Sequence, residues 1–341
     1  MKCILHIGTE KTATTSFQKL MAASRDKLFN EYGIWYPQCL GSHWHRDLAV
    51  WAMDPSKPDD HFMKLNIKTS LEHDLFKKSL TERLQREYTE FKSAHTCIIS
   101  SEHLHSRLKT QYSIHQLNEI LTALYDEVYV FVHLRPQVEL AVSLASTAAK
   151  SPSLIVDKKF FEEAALDRSY YDYSHILDMW SNSFGRERIY PFSFKKNLNM
   201  AQLIGGFIGV DLSALGPLPK ENSSLTVEAI CLLNLLKQYS GDSSKFNQII
   251  NASQAGEKLC VSRALASAIQ DSYRDSNLKV IDSFKGMTND DLFVDISMYP
   301  KNGNEERLLP ECNFSPAVYA VMQEAVRIIE ANNFLKRKLA Q

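Results

Sequence analysis

The sequence predicts an α/β protein in which a parallel β-sheet is flanked by helices, with a mainly helical region from about residue 222 to residue 341. Two observations lead to this fold class. Short apolar runs alternate with segments whose apolar residues recur at helical spacing, which is typical of parallel sheets built from strand–helix units. The first apolar run leads directly into a polar loop and a helix, which is the strand–loop–helix unit from which such sheets are built. We expect residues 1–341 to form one domain, with the helical region as its extension.

Five short apolar runs are the predicted strands: CILHI (3–7), GIWYP (33–37), TCIISS (96–101), EVYVFVHL (127–134) and RIYPFSF (188–194). Between and after them, apolar residues at a period near 3.6 predict helices. The first of these helices begins at Ala13. Others are predicted at about 71–88, at ILTALY, and at about 137–149, 226–238 and 258–270. The last one begins at Ser315. Residues 41–70 show no clear period and are predicted to be irregular. Functional groups are expected where parallel strands end together, at the carboxyl edge of the sheet.

Composition and charge argue against several classes of function. The formal net charge is −1 and charged residues are spread along the chain, which disfavours a nucleic-acid-binding protein or a basic membrane-binding protein. No run of eighteen apolar residues predicts a membrane span. The six cysteines are far apart and form no C-x-x-C pair, so they indicate buried thiols in a reducing compartment and a cytoplasmic protein. No spacing of histidines and cysteines predicts a metal site.

The loop GTEKTATTSFQ carries the first functional signal. It is similar to a phosphate-binding loop, yet it differs from the nucleotide-kinase pattern G-x-x-x-x-G-K-[ST]. Lys11 stands three residues after Gly8, no glycine precedes it, and threonines follow it. Because a helix N-terminus offers unpaired amides and the positive end of the helix dipole, the loop predicts an anion site.

The stretch KTATTSFQ after an apolar strand resembles the 5′-phosphosulfate loop of sulfotransferases that use 3′-phosphoadenosine 5′-phosphosulfate (PAPS). That loop commonly reads K-[ST]-G-T-T followed by an apolar or aromatic residue, in a P-loop-like three-layer sandwich. The resemblance implies that Lys11 contacts the phosphosulfate near its bridging oxygen. It also implies that the phosphate is held by Thr12, Ala13, Thr14 and Thr15. Ala13 stands where glycine is usual, and since a left-handed backbone would cost alanine about 1–2 kcal/mol, we expect a negative φ there.

A second motif supports the resemblance. The strand EVYVFVHL ends at Arg135, and Ser143 follows eight residues later in a predicted helix. In the family, an arginine and a serine with this spacing bind the 3′-phosphate of the nucleotide, although an aspartate that usually follows the arginine is absent here. A guanidinium offers a planar pair of donors to a dianionic phosphate. The resemblance covers about residues 3–240 and implies PAPS as donor, 3′,5′-adenosine bisphosphate as product and no metal.

Transfer to a hydroxyl also requires a base near the donor. The stretch SSEHLHS supplies two candidates, and we favour Glu102 over His103 because it comes first after its strand. Aromatic and polar residues in GSHWHRD, together with the end of SSEHLHS, are assigned to acceptor binding. The residues of that assignment are His43, His45, Arg46 and His105.

The function that the resemblance implies is a PAPS-dependent sulfotransferase acting on a hydroxyl of a carbohydrate or glycolipid, as in polysaccharide biosynthesis. The carbohydrate follows from the resemblance alone. A P-loop-like nucleotide or small-molecule kinase is the enzymatic alternative, disfavoured by the missing G-K-[ST] and by the absence of a strand ending in a magnesium-binding aspartate. A non-catalytic protein of the same fold is the other alternative, disfavoured by the presence of Lys11, Arg135, Ser143 and a candidate base.

Overall fold

The computed structural model describes residues 1–151, 154–194, 200–217, 224–240 and 256–308, with Arg327 and Ala331. In these residues five strands form one sheet: β1 (Lys2–His6), β2 (Ile34–Trp35), β3 (Thr96–Ser100), β4 (Glu127–Leu134) and β5 (Ile189–Ser193). The strand order is β2-β3-β1-β4-β5, and every neighbouring pair is parallel. Each strand overlaps its predicted run, and the predicted parallel α/β class is confirmed.

The α-helices of the described residues connect and follow these strands. In chain order they are α1 (Thr14–Ala23), α2 (Arg25–Tyr32), α3 (Arg46–Ala52), α4 (Asp60–Lys64), α5 (Ser70–Glu90), α6 (His103–Arg107), α7 (Gln111–Thr122), α8 (Gln137–Lys150), α9 (Lys158–Ala164), α10 (Arg168–Tyr171), α11 (Tyr173–Phe184), α12 (Met200–Ile208), α13 (Val227–Ser240), α14 (Arg263–Ser272), α15 (Arg274–Ser283) and α16 (Asn289–Leu292). Short 3₁₀ turns lie at Arg186–Arg188, Leu212–Leu215, Ile296–Met298 and Glu305–Leu308.

Three secondary-structure predictions need correction. The helix predicted at about 258–270 begins only at Arg263, as α14. The helix that begins after Ala13 ends at Ala23, and α2 begins as a separate helix after Ser24. The side chain of Arg25 donates to the carbonyl of Ala22 at 3.4 Å, which gives the end of α1 a hydrogen-bond partner. The segment 41–70 is not wholly irregular, since it contains α3 and α4. The carboxylate of Asp59 caps α4 by accepting from the amides of the first turn. The helix predicted from Ser315 lies outside the described residues.

The chain separates into two compact units. The first comprises Met1–Leu140, Asp167–Asn222 and Ser272–Val294 and contains the whole sheet. The second comprises Ala141–Leu166, Ser223–Asp271 and Asp295–Gln341. Within the second unit, the buried amide of Asn234 on α13 bonds both the N–H and the carbonyl of Val156, at 3.1 and 2.6 Å. This pairing fixes α13 to the segment that precedes α9.

The sheet is buried on both faces, as expected for parallel strands that helices cover on each side. Side chains on one face of β1, β3 and β4, including Ile4, Ile98 and Phe131, pack against α1 and α12. The helices α7 and α11 contact β4. Because β1 is the central strand, the loop that follows it opens at the middle of the carboxyl edge, where ligands bind in sheets of this type.

The cysteines in the described residues are free thiols: Cys3, Cys39, Cys97, Cys231 and Cys260. Cys312 lies outside the described residues. In the part of the chain that the structure describes, no helix is both long enough and apolar enough to cross a membrane.

Candidate active site

The loop between β1 and α1 continues the sheet for a short distance before it turns. The amide of Ile7 donates to the carbonyl of Phe131 at 2.9 Å, and the amide of Thr9 donates to the carbonyl of His133 at 3.0 Å. These bonds extend the pairing of β1 with β4 beyond the last strand residue. These backbone hydrogen bonds therefore fix the start of the loop to the carboxyl edge of the sheet.

The loop reaches α1 through residues with left-handed backbone conformations. Lys11 has φ 63°, and Ala13 has φ 60° and ψ 25°. The expectation of a negative φ at Ala13 is therefore wrong. Ala13 is the residue that caps α1, and its carbonyl accepts a hydrogen bond from the amide of Phe17 at 3.2 Å. The turn into the helix therefore contains an alanine in a backbone conformation that glycine adopts without strain.

Substitution of Ala13 by glycine should therefore stabilise the protein. Removing the methyl group relieves a left-handed alanine, which is expected to raise the free energy of unfolding by about 1 kcal/mol, less a smaller loss from the greater entropy of the unfolded chain. Urea unfolding of Ala13→Gly measures this change. The matched control is Ala22→Gly in the same helix, which should destabilise by roughly 0.5–1 kcal/mol. A loss of stability in both variants would contradict the strained conformation.

The first turn of α1 is suited to an anion. The cap residue is an alanine, which has no side chain able to cap the helix, and the first turn holds no acidic residue. Thr14 is buried and Thr15 is partly buried at this end. The hydroxyl of Thr12 donates to the carbonyl of Thr9 at 2.7 Å, so its proton stabilises the loop and leaves its backbone amide as the group that could hold a phosphate. The amides and the dipole of α1 thus point towards one site.

Arg135 brings the second motif to this loop. It follows β4, and its Nη1 donates to the carbonyl of Lys11 at 3.1 Å. Its Nε lies 3.3 Å from a carboxylate oxygen of Glu139, and its guanidinium lies 5.3 Å from the ring centroid of Phe194. The hydroxyl of Tyr173 donates to the Arg135 carbonyl at 2.6 Å, which fixes the backbone here. The two motifs that are 124 residues apart in sequence are therefore in direct contact.

Ser143 lies on α8, one helical turn beyond Glu139, and is partly exposed. The ion pair of Arg135 with Glu139 is partly exposed and separated by four residues, so it contributes little and an anion can compete for the guanidinium.

Glu102 lies at the end of the neighbouring strand β3. Its side chain is 8% exposed, and one carboxylate oxygen accepts from Nε2 of Gln18 at 2.7 Å. Gly8 packs directly on it: a methyl group on Gly8, whose φ is 103°, would lie 3.0 Å from the Glu102 Cα. Burial raises the pKa of Glu102, and the nearby charge of Glu10 raises it further. A carboxyl with a raised pKa beside an anion loop has the properties of a general base.

His103 and His105, on α6, are both buried. Burial lowers the pKa of His103 to about 3, with the charges of Arg46 and Arg107 lowering it further. Burial lowers the pKa of His105 to about 4, and its ring packs against Tyr170 with centroids 4.9 Å apart. Both rings are neutral near pH 7, but each would hold an abstracted proton poorly. Glu102 is therefore the stronger candidate base.

The segment around Trp44 divides into structural and accessible residues. His45 is fully buried; its Nδ1 accepts from the amide of Ser100 at 3.0 Å, and its Nε2 donates to the carbonyl of Pro37 at 2.8 Å. Burial lowers the pKa of His45 to about 3. Both ring nitrogens are thus occupied, which corrects the expectation that His45 binds an acceptor.

Arg46 requires the same correction. Its side chain is 6% exposed and forms ion pairs with Asp59, at 2.8 Å, and with Asp60. Its charge therefore stabilises the start of α4. His43 remains accessible in part, and its ring stacks on Trp44 with centroids 5.0 Å apart. Trp44 in turn lies 6.0 Å from the ring of His103, the second candidate base, with ring centroids compared.

Sequence reasoning misses two residues that organise the site. Gln18 bonds Glu102, and the carboxylate of Glu10 accepts a hydrogen bond from the Tyr170 hydroxyl, which anchors the loop. Gln18 could have been noticed, because its spacing from Thr14 and Met21 places a polar residue on the buried face of α1. Glu10 offers no such signal. Among the described residues, no group of three histidines, cysteines or acids is arranged to hold a metal ion.

The chain was also compared with known proteins. No family model and no curated protein matches the chain. A solved structure of a sulfotransferase from Alicyclobacillus acidocaldarius is similar, with 14% sequence identity, a TM-score of 0.41, and coverage of 69% of this chain and 91% of that chain. At that level of similarity, a function has to be argued from the residues of this chain.

Proposed function

We propose that this protein transfers a sulfuryl group from PAPS to an acceptor hydroxyl. The observation that carries the proposal is the contact of Arg135 with the Lys11 loop, which joins two anion-binding motifs at the N-terminus of α1. A nucleotide with phosphates at both its 5′ and 3′ positions needs two such motifs, whereas ATP needs one continuous loop and a magnesium ion. The buried carboxyl of Glu102 beside Gly8 supports a proton-accepting role at the same site.

The donor would be held by the loop and by the second motif. Lys11 would contact the phosphosulfate. The backbone amides of Thr12, Ala13, Thr14 and Thr15, with the hydroxyls of Thr14 and Thr15, would lie around the phosphate. Arg135 would bind the 3′-phosphate. The guanidinium suits this role because it can present two parallel N–H donors to a dianion.

The reaction is an in-line displacement at sulfur. The acceptor oxygen forms a bond to sulfur, the bond between sulfur and the bridging phosphate oxygen breaks, and the hydroxyl proton passes to Glu102. The products are a sulfate ester and 3′,5′-adenosine bisphosphate. Lys11 stabilises the charge that develops on the leaving phosphate, as fixed cations do in phosphoryl transfer. His103 is the alternative base.

The acceptor side would include His43, stacked on Trp44, and we propose a carbohydrate or glycolipid hydroxyl as the acceptor. An aromatic ring pair beside His103, the residue that follows Glu102, can pack against the apolar face of a sugar. The free thiols of the described residues support a reducing, cytoplasmic location.

Calorimetric titration with 3′,5′-adenosine bisphosphate and, in parallel, with ATP tests the proposal. We expect the bisphosphate to bind with micromolar or better affinity without magnesium, and ATP to bind far more weakly. Tight, magnesium-dependent binding of ATP with no response to the bisphosphate would instead favour the kinase. Bisphosphate binding without sulfate transfer to any acceptor in a carbohydrate panel would favour the non-catalytic alternative.

The same titration on Arg135→Ala locates the 3′-phosphate. Loss of a hydrogen bond to a charged group costs about 1.5–3 kcal/mol, so the affinity should fall by about one to two orders of magnitude. Arg86→Ala, on the exposed face of α5, removes the same charge away from the loop and should leave the affinity unchanged. Equal affinities for the Arg135→Ala variant and the wild type would remove Arg135 from the site.

A further inference from the structure

Gln18 is buried in a row of polar side chains beneath the anion loop. It is fully shielded from solvent, and its Nε2 lies 2.7 Å from Oε2 of Glu102 and 3.2 Å from Oγ of Ser100. Oγ of Ser100 also lies 2.8 Å from Nδ1 of His6. The row therefore runs from the end of β1, through β3, to the carboxyl of Glu102.

The hydrogen bonds at the Glu102 end of this row have a definite direction. An amide nitrogen only donates, so Glu102 and the Ser100 hydroxyl oxygen accept from Gln18. The direction of the next bond, between Oγ of Ser100 and Nδ1 of His6, depends on the tautomer of the ring. Burial, with the neighbouring ring of His133, lowers the pKa of His6 well below its usual value, which favours a neutral ring. Gln18 thus presents its N–H to the ionised form of Glu102.

Stability alone does not explain a glutamine at this position. In the part of the chain that the structure describes, Oε1 of Gln18 has no hydrogen-bond partner, although it is buried. An apolar side chain of similar size would avoid that unsatisfied oxygen. The neighbouring core positions of α1, including Phe17 and Met21, are apolar. The amide therefore leaves one buried oxygen unsatisfied while its nitrogen bonds Glu102 and Ser100, as expected for a group that serves the site.

Gln18 is also well placed to connect the donor loop with the base. It lies one helical turn after Thr14, so α1 sets the separation between the anion end of the helix and the side chain that holds Glu102. Gly8 of the same loop packs on the Glu102 backbone from the other side. The charged and titratable groups that face Glu102 from neighbouring elements are Glu10, Arg46 and Tyr36.

We propose that Gln18 is the positioning residue of the reaction: it holds the Glu102 carboxylate in its ionised form at a distance from the donor loop that α1 fixes. This inference rests on the proposed function. Its physical basis is that a hydrogen bond donated to a carboxylate favours the charged form and also limits the rotation of that carboxylate.

The test replaces Gln18 with methionine, which keeps the length of the side chain and removes both donors. Titration of Glu102 by carbon-13 NMR of the labelled carboxyl should show a pKa raised by about one unit, because hydrogen bonds to charged groups are worth one to two such units. The acidic limb of the kcat/KM profile should move upward by the same amount, and kcat on the plateau should fall roughly tenfold as the carboxylate loses its fixed position. Bisphosphate affinity should not change.

Met21→Leu is the matched control, since it alters a buried side chain of the same helix while keeping its volume, and it should leave the pKa and the pH profile unmoved. If Gln18→Met does not fold, Gln18→Asn, whose shorter amide cannot reach Glu102, gives the same test. An unmoved pKa or an unmoved acidic limb overturns the role of Gln18. If the pKa of Glu102 rises in Gln18→Met but the wild-type protein transfers no sulfate, the proposed function is overturned and, with it, any part for Gln18 in chemistry.

Discussion

Replacement of Glu102 by glutamine should lower sulfate transfer by about two to four orders of magnitude while bisphosphate binding is retained. Glutamine has nearly the same shape and can still bond Gln18, but it cannot accept the proton of the acceptor hydroxyl, and loss of a general base typically has an effect of this size. The measurement is kcat with a carbohydrate acceptor panel, beside calorimetric affinity for the bisphosphate. Near-normal turnover would transfer the role of base to His103, whose own replacement should then show the same pattern.

The same substitution should stabilise the fold at neutral pH, which separates a catalytic carboxyl from a structural one. Burial raises the folded pKa of Glu102 above the unfolded value of about 4.3. The stabilising contribution of the protonated carboxyl is therefore complete below that unfolded value and is lost as the pH rises through the folded pKa. Because glutamine carries no charge, the Glu102→Gln variant does not lose this stability as the pH rises.

Thermal unfolding at several pH values measures this effect. The unfolding midpoint of Glu102→Gln relative to wild type should rise between pH 4 and pH 8. Glu90→Gln, at the exposed end of α5, is the control and should show no comparable rise. A variant of Glu102 that loses stability at pH 8 would indicate that the carboxylate is held for the fold, and a catalytic role would then need other support.

The sheet and its active edge can be predicted because both depend on local patterns. A parallel strand that is buried on both faces appears in the sequence as a short apolar run. The strands β1, β3 and β4 each end where such a run meets polar residues. Lys11, Glu102 and Arg135 follow these three strand ends. Since the strands are neighbours in the sheet, their carboxyl ends bring those residues to one edge.

The roles of individual polar residues cannot be read in the same way, because contacts distant in sequence decide them. His45 looks like a ligand in the pattern H-x-H, but its partners are backbone groups of Pro37 and Ser100. Arg46 forms ion pairs with Asp59 and Asp60, which lie thirteen and fourteen positions later in the sequence. Local steric preference fails at Ala13 for a related reason: the exposed loop must turn into α1 there, and hydrogen bonds made by the neighbouring residues Lys11 and Thr12 maintain a conformation that alanine alone disfavours.

Replacement of Lys11 by alanine should impair both donor binding and chemistry, unlike the Glu102 variant. A lysine that touches the phosphosulfate contributes a charge-assisted contact in the ground state, and its loss should weaken donor binding by about one to two orders of magnitude. Removing one preorganised group that stabilises developing charge lowers kcat by about two to three further orders. Alanine has the same difficulty as lysine with the left-handed backbone at this position, so no change in loop strain is expected.

Donor KM, kcat and bisphosphate affinity are the quantities to measure for Lys11→Ala, with Lys19→Ala on the exposed face of α1 as the charge-matched control. If Lys11 acts on the leaving phosphate, kcat/KM should fall by more than the bisphosphate affinity does, because part of the interaction is made only in the transition state. A fall in affinity with an unchanged kcat would restrict Lys11 to uniform binding of the nucleotide. The charge that the reaction requires would then have to come from Arg135 or from the amides of α1, the remaining positive groups described at this end of the helix.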